Sequence, residues 1–293
     1  MQLGRVGLWT FQLDLQPAPA AREAAQELES LGYPALWVPE AVGRDPLINS
    51  AMLLAATERL VLATGIASIW SRDAMAANAG HQSLSEAWPD RFLLGLGVSH
   101  QPMVDFLKGQ QYDKPLTKMS AYLDAMDAAI YIAPKPASAT RVLAALGPKM
   151  LALAATKANG AHPYFVPVEH TPIARAALGD GPLLCPEQAV VLSTDPEVAR
   201  ATARQHMATY LTLPNYTNNL RRLGWGDDDL GDGGSDKLVD AIVAWGDEDA
   251  IVARVQAHLD AGADHVAVQV LPPVSTDLPM AQWRTLAPAL LTL

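Results

Sequence analysis

Two side chains able to move protons stand directly behind turns marked by glycine or proline. His100 follows Gly95-Leu96-Gly97-Val98-Ser99, and Glu40 closes the run Leu36-Trp37-Val38-Pro39. An imidazole in that place can donate or accept a proton at a reacting centre, or bind a substrate oxygen. Glu40 can act as a base or hold the polar edge of a ligand; its competing role is to cap the segment that follows. Gly147-Pro148-Lys149-Met150 offers different chemistry. The glycine makes a turn, the proline fits a first helical position and the lysine stands in the first turn. Free N–H groups, the positive helix end and an ammonium group then converge on an anion such as a phosphate. The same residues would also just start a helix with Lys149 in solvent, and local sequence does not separate the two readings.

Missing motifs narrow the field further. The chain has no P-loop, no Gly-x-Ser-x-Gly elbow and no His/Asp/Glu set at metal-ligand spacing, so no metal is expected. Asp227-Asp228-Asp229 has the wrong spacing for calcium and reads as a solvated loop. Gly95-x-Gly97 lacks the third glycine of a dinucleotide fingerprint. Cys185 is the lone cysteine, which excludes an internal disulfide, and its Leu-Leu-Cys-Pro setting suits a buried structural thiol. An apolar site with few ionisable groups suits a flat cofactor ring that brings its own redox chemistry.

These residues need a frame, and the hydrophobic pattern supplies one. Buried-strand runs at Gly4–Thr10, Ala35–Val38, Leu60–Thr64, Arg91–His100, Arg141–Leu146, Ala161–Val166, Gln188–Leu192 and Asp264–Leu271 alternate with helical stretches. The helices are expected at Ala20–Leu31, Ile48–Glu58, up to Glu86, Leu116–Tyr131, Lys149–Lys157, Thr171–Ala177, from Pro196 to Leu211, and Ala281–Leu291. Eight strand-then-helix units predict an α/β fold, a single (β/α)8 TIM barrel over residues 1–293. A doubly wound open sheet is the alternative. Gly224–Asp236, rich in Gly and Asp, reads as an exposed loop inserted between the seventh and eighth strands.

A barrel presents ligands to the carboxyl ends of its strands. That rule collects Trp9, Glu40, Gly65, Ile66, Ala67, Gly97, Val98, Ser99, His100, Gly147, Pro148, Lys149, Met150 and Tyr164 at one mouth. Trp9 and Trp70 are candidates for a substrate pocket, although Trp70 and Arg72 would serve equally as packing at the rim. His162 and Tyr164 face the same ambiguity, because alternate strand residues point inward or outward. A net charge of −10 and a pI near 5.1 leave no basic surplus for nucleic acid. No apolar run reaches membrane-spanning length and no signal peptide is evident, so a cytoplasmic protein without a membrane or nucleic-acid partner is expected.

With those residues in place, the chain resembles the luciferase-like monooxygenase superfamily, in its branch of F420-dependent oxidoreductases. The likeness runs through Leu36-Trp37-Val38-Pro39-Glu40, Ala63-Thr64-Gly65-Ile66 and Asp90-Arg91-Phe92-Leu93-Leu94-Gly95-Leu96-Gly97. It continues in Ala144-Ala145-Leu146-Gly147-Pro148-Lys149-Met150 and Ala261-Gly262-Ala263-Asp264-His265-Val266. The resemblance implies a homodimer whose barrel mouth binds the deazaflavin coenzyme F420, with FMN as the alternative, and acts on a small-molecule substrate. It implies a non-proline cis peptide at Gly65–Ile66 behind the ring, and a phosphate segment at Gly147–Met150. His100 falls where the family often carries a glutamate near the reacting carbon, and Ala41 replaces the histidine that commonly follows the acidic position. The function expected is hydride transfer to or from an unidentified small organic substrate. An FMN-dependent monooxygenase and a non-catalytic flavin-binding relative are the rivals.

Overall fold

A computed structural model describes residues 1–293, the side chain of Leu107 excepted. Strand β1 (Val6–Trp9) pairs in parallel with β2 (Ala35–Val38) on one side and with β11 (Val266–Val270) on the other. The sheet continues through β3 (Val61–Thr64), β5 (Phe92–Gly97), β6 (Thr140–Leu143), β7 (Gly160–Ala161) and β8 (Leu183–Leu184), with the short β4 (Ala67–Ser68) also on β5.

The ring closes through one long extended segment. β8 runs into β9 (Glu187–Leu192) across Cys185-Pro186, where proline interrupts the ladder. On one flank Cys185 N–H donates to Ala161 O and Glu187 N–H to Pro163 O. On the other, Ala267 N–H donates to Pro186 O, and β9 pairs with β11. Taking β8 and β9 as a single strand, eight parallel strands form the expected barrel.

Alternation along the strands sorts the side chains. Trp9, Trp37, Ala63, Leu93, Val142, Cys185 and Ala267 pack together inside the barrel. Their neighbours Leu8, Leu36, Leu62, Leu94, Leu143, Leu184 and Val268 pack outward among the helices. The helices start where short acceptors meet proline or small residues. Asp45 accepts from Leu47 N and Ile48 N at the head of α2 (Pro46–Leu54), and Asp73 accepts from Ala76 N at the head of α3 (Ala74–Ala87).

The structure corrects two expectations and extends a third. The expected strand ending at His100 stops at Gly97, because Ser99 takes a left-handed backbone (φ 56°) that ends the extended run. The sixth strand is only Gly160–Ala161; Pro163 and Pro167 bracket an irregular turn in which Phe165 has φ 58°. Gly224–Asp236 is largely exposed, as expected, with one helical turn inside it, but the insertion that contains it is longer. It carries α7 (Pro196–Tyr210), α8 (Pro214–Arg222), α9 (Asp227–Leu230), α10 (Asp236–Ile242) and an additional strand, β10 (Val243–Gly246), on β9. These pieces bury Ala199, Ala203, Met207, Leu220 and Leu238 in a separate apolar cluster beside the mouth.

Candidate functional site

A cavity of about 1140 Å³ opens at the carboxyl ends of the strands. Its floor is built by strand ends. The Gly65–Ile66 peptide following β3 is cis, and Trp9 Nε1–H donates to Gly65 O at 3.0 Å. Ile66 lies against Gly97 of β5 so closely that a Cβ at position 97 would stand 2.4 Å from Ile66 Cδ1. Below them His162 stacks on Trp37, centroids 4.3 Å apart, and its Nδ1–H donates to Cys185 O at 2.7 Å. That bond leaves His162 Nε2 as a buried lone pair without a partner, and burial lowers its pKa to about 4. The thiol of Cys185 is fully buried in the interior cluster, and burial pushes its pKa up.

One wall carries His100. Its Nδ1–H donates to Asn215 Oδ1 of α8 at 3.1 Å, so the neutral ring offers Nε2 as an acceptor, and the residue lines the cavity. Burial lowers the His100 pKa below the ordinary 6.5, with the Asn215 bond opposing. Glu40 also lines the cavity, yet much of it is committed. Its Oε2 accepts from Ser68 N–H at 2.7 Å and from Arg72 Nη1 at 2.9 Å, and Arg72 reaches on to Asp45 at 2.8 Å. The carboxylate thus ties the β3–β4 turn to the α2 cap.

The far end of the cavity is cationic. Gly147 opens α5 (Pro148–Lys157) with no side-chain cap; Pro148 has no N–H and Met150 N–H donates to Gly147 O, which leaves the Lys149 N–H open to a ligand. Lys149 stands exposed at the edge. Arg222, at the end of α8, reaches the same turn: a Cβ on Gly147 would lie 3.2 Å from its Nη2. The guanidinium is held by Asn219 Oδ1 at 2.8 Å. Sequence reasoning missed Arg222 and Asn215, because both come from the insertion, far along the chain from the residues they meet.

Of the candidates, Trp9, Glu40, Gly65, Ile66, Gly97, Val98, Ser99, His100, Gly147, Pro148, Lys149, Met150 and Tyr164 line this cavity together. Two placements are corrected. Ala67, paired with Leu96, turns outward into the core between strands and helices. Trp70 packs in that same core as well; its Nε1–H donates to Val98 O at 2.8 Å, with Tyr112 tilted against it and Lys118 Nζ 3.9 Å from its ring centroid. Trp70 supports the wall from behind rather than lining a pocket.

Residues 1–265 match the luciferase-like monooxygenase family. The chain belongs to that family. A Mycobacterium tuberculosis protein named for coenzyme F420-dependent oxidoreductase activity is 30% identical over 125 residues, 42% of this chain and 35% of that protein. The aligned part thus spans about a third of that relative's length. Among solved structures, an F420-dependent secondary alcohol dehydrogenase in complex with an F420-acetone adduct aligns over 98% of both chains, with TM-score 0.78 and 12% identity. A type II Baeyer-Villiger monooxygenase component from a Pseudomonas putida plasmid, in complex with FMN, aligns over 97% of this chain and 95% of its own, with TM-score 0.64 and 15% identity. At these identities the two structures establish the shared barrel. Among the described residues, no helix of this family member is long and apolar enough to cross a membrane.

Proposed function

We propose that this enzyme is an oxidoreductase that moves a hydride between coenzyme F420 and a small organic substrate. The observation that carries the reading is the lining of the main cavity. Gly65–Ile66 and Gly97–Ser99 line it at the strand ends, and Lys149, Arg222 and the uncapped start of α5 line it as well. A planar ring fits against the glycine-bearing strand ends, and an anionic tail fits the cationic end. The bound deazaflavin supplies the hydride chemistry. The relative named for F420-dependent activity supports that coenzyme over FMN.

The chain's own residues have separable duties in this reading. Lys149 and Arg222 hold the phosphate, and the Gly65–Ile66 turn, fixed by Trp9 and Glu40, backs the ring. His100 Nε2 exchanges the substrate proton, because its other nitrogen is occupied by Asn215. Glu40 keeps the turn in place with Oε2 bound to Ser68 and Arg72. A fluorescence titration of the apoprotein with F420 and FMN, each oxidised and reduced, tests the assignment. F420 is expected to bind roughly tenfold more tightly, a difference of about 1.4 kcal/mol. Equal or tighter FMN binding moves the protein to the monooxygenase reading, and binding of neither removes both. Light scattering of the eluted protein checks the homodimer that the family likeness implies.

A further inference from the structure

Beside the mouth, one carboxyl and one amide make half of a pairing. Asp14 lies in the 3-10 turn Gln12–Leu15, which follows Phe11 of the cavity wall, and Asn49 lies in α2. Asn49 Nδ2–H donates to Asp14 Oδ1 at 2.8 Å. The remaining oxygen of each group, Asp14 Oδ2 and Asn49 Oδ1, is buried and has no partner. Carboxylate and amide oxygens accept and never donate, so neither can satisfy the other. Turning the Asn49 amide over would set its oxygen against Asp14 Oδ1, so no amide orientation removes the deficit. One proton does. A carboxylic acid and a primary amide close into a cyclic pair, N–H to C=O and O–H to C=O, and the first of those bonds is already made.

The setting favours that proton. Gly43, on the loop before α2, lies so close that a Cβ there would stand 2.9 Å from Asp14 Oδ2. Burial raises the Asp14 pKa from 3.8 to about 6, against the opposing pull of Arg44. The Arg44 guanidinium is itself committed to the backbone, donating to Leu13 O at 2.7 Å and to Gln16 O. Charged groups on the other neighbouring elements are engaged elsewhere or solvated. Asp45 accepts from Leu47 N–H, Ile48 N–H and Arg72. Arg22 and Glu23 of α1 (Ala18–Ser30) are exposed, as is Asp277, beyond the Ser275 and Thr276 carbonyls that Gln12 and Gln16 bind. A buried carboxylate next to a second unmet acceptor is costly, and a single proton relieves both.

We propose that Asp14 and Asn49 form a proton-operated clasp at the rim of the mouth. With the proton present, Asp14 Oδ2–H donates to Asn49 Oδ1 and fastens the Gln12–Leu15 turn to α2. Without it, two bare oxygens remain and the turn loosens. The turn continues Trp9-Thr10-Phe11, so the clasp sets how firmly the Phe11 side of the cavity is held. It acts away from His100 and the cationic end, and does not depend on the oxidoreductase reading.

Asp14→Asn tests the clasp, because its amide carries the missing donor at every pH. A raised carboxyl pKa makes the wild-type contribution complete below 3.8 and lost as pH rises to about 6. Urea denaturation should therefore show the unfolding constant of wild type, relative to Asp14→Asn, growing roughly 10- to 50-fold between pH 4.5 and 7.5. The variant should be at least as stable as wild type at pH 7.5. The infrared difference between the two proteins should carry a protonated-carboxyl C=O band at pH 5 and a carboxylate band at pH 7.5. Hydrogen exchange reads the clasp in wild type alone: protection of residues 11–16, corrected for the intrinsic rate, should fall roughly tenfold over the same range relative to strand β2. An Asp14 that works as an anion tied to Arg44 predicts the reverse. Asp14→Asn less stable than wild type at pH 7.5, no protonated band at pH 5, or protection of 11–16 that does not change with pH overturns the proposal.

Discussion

The cationic end of the mouth and the barrel floor sit in one cavity system but handle charge in opposite ways. At Lys149 and Arg222 the cations stand near solvent, at the edge of the cavity. In the floor, burial strips charge from every titratable group. His162 and His265 are drawn down to about 4, and Glu187 is pushed up to about 8. The floor is instead organised by neutral hydrogen bonds: Trp37 Nε1–H to His265 Nε2 at 3.0 Å, His265 Nδ1–H to Gly4 O at 2.9 Å, and Phe165 N–H to Glu187 Oε2 at 3.1 Å. Desolvation decides which region can carry charge at neutral pH, and residue type alone does not. His100 lies on the border, with its pKa lowered but an open nitrogen.

The border residue gives the largest expected effect. His100→Gln should lower turnover by about 10²–10⁴-fold while F420 affinity holds, which steady-state kinetics and a coenzyme titration will separate. In the direction in which substrate loses a proton, the wild-type rate should stay level from neutral pH to below 6.5, and fall as His100 becomes protonated. If the variant keeps its activity, the comparison loses its border residue, and Glu40 becomes the candidate proton carrier.

The floor should show itself in stability. The Glu187 carboxyl is raised from 4.5 to about 8 by burial. Its contribution is therefore intact below the ordinary value, and is lost as pH rises through that window. Glu187→Gln removes the titration. The stability difference between variant and wild type should shift in favour of the variant by roughly 1.4 kcal/mol per pH unit across the window. Urea denaturation at acidic, neutral and alkaline pH measures it; parallel curves for the two proteins would mean that the floor does carry charge.

The cationic end should give the smallest change and the strongest salt response. Arg222→Ala or Lys149→Ala removes one charged hydrogen bond, about 1.5–3 kcal/mol, so F420 affinity should fall by about one to two decades. The loss should shrink as ionic strength rises, because exposed charges are screened. Unchanged F420 binding in both variants would place the phosphate elsewhere.

How much of this was legible beforehand follows from where the signal lies. The barrel was readable because each strand is a short apolar run and each turn carries glycine, proline or a capping acid. His100, Glu40 and Lys149 were readable because they sit at strand ends, where the fold itself designates the site. Ala67 and Trp70 were misplaced because facing parity cannot be counted through the irregular turn after Thr64. The seventh strand was read short because Pro186 divides it. β10 was missed because Val243–Gly246 follows α10 with no turn residue to separate strand from helix. Arg222 and Asn215 had no local mark: each matters through a neighbour brought close only by the fold, and Asn215 lies 115 residues from His100.

The insertion between the last two barrel strands has a consequence for how such enzymes diversify. A single continuous stretch, 210–222, supplies Tyr210 and Tyr216 to the cavity lining, Asn215 to the His100 imidazole and Arg222 to the Gly147 turn. On the proposed reading, substrate shape, proton handling and coenzyme grip are inherited as a block. Exchanging that stretch between relatives would transplant all three at once onto an unchanged barrel, and drift within it alters one trait at the risk of the others.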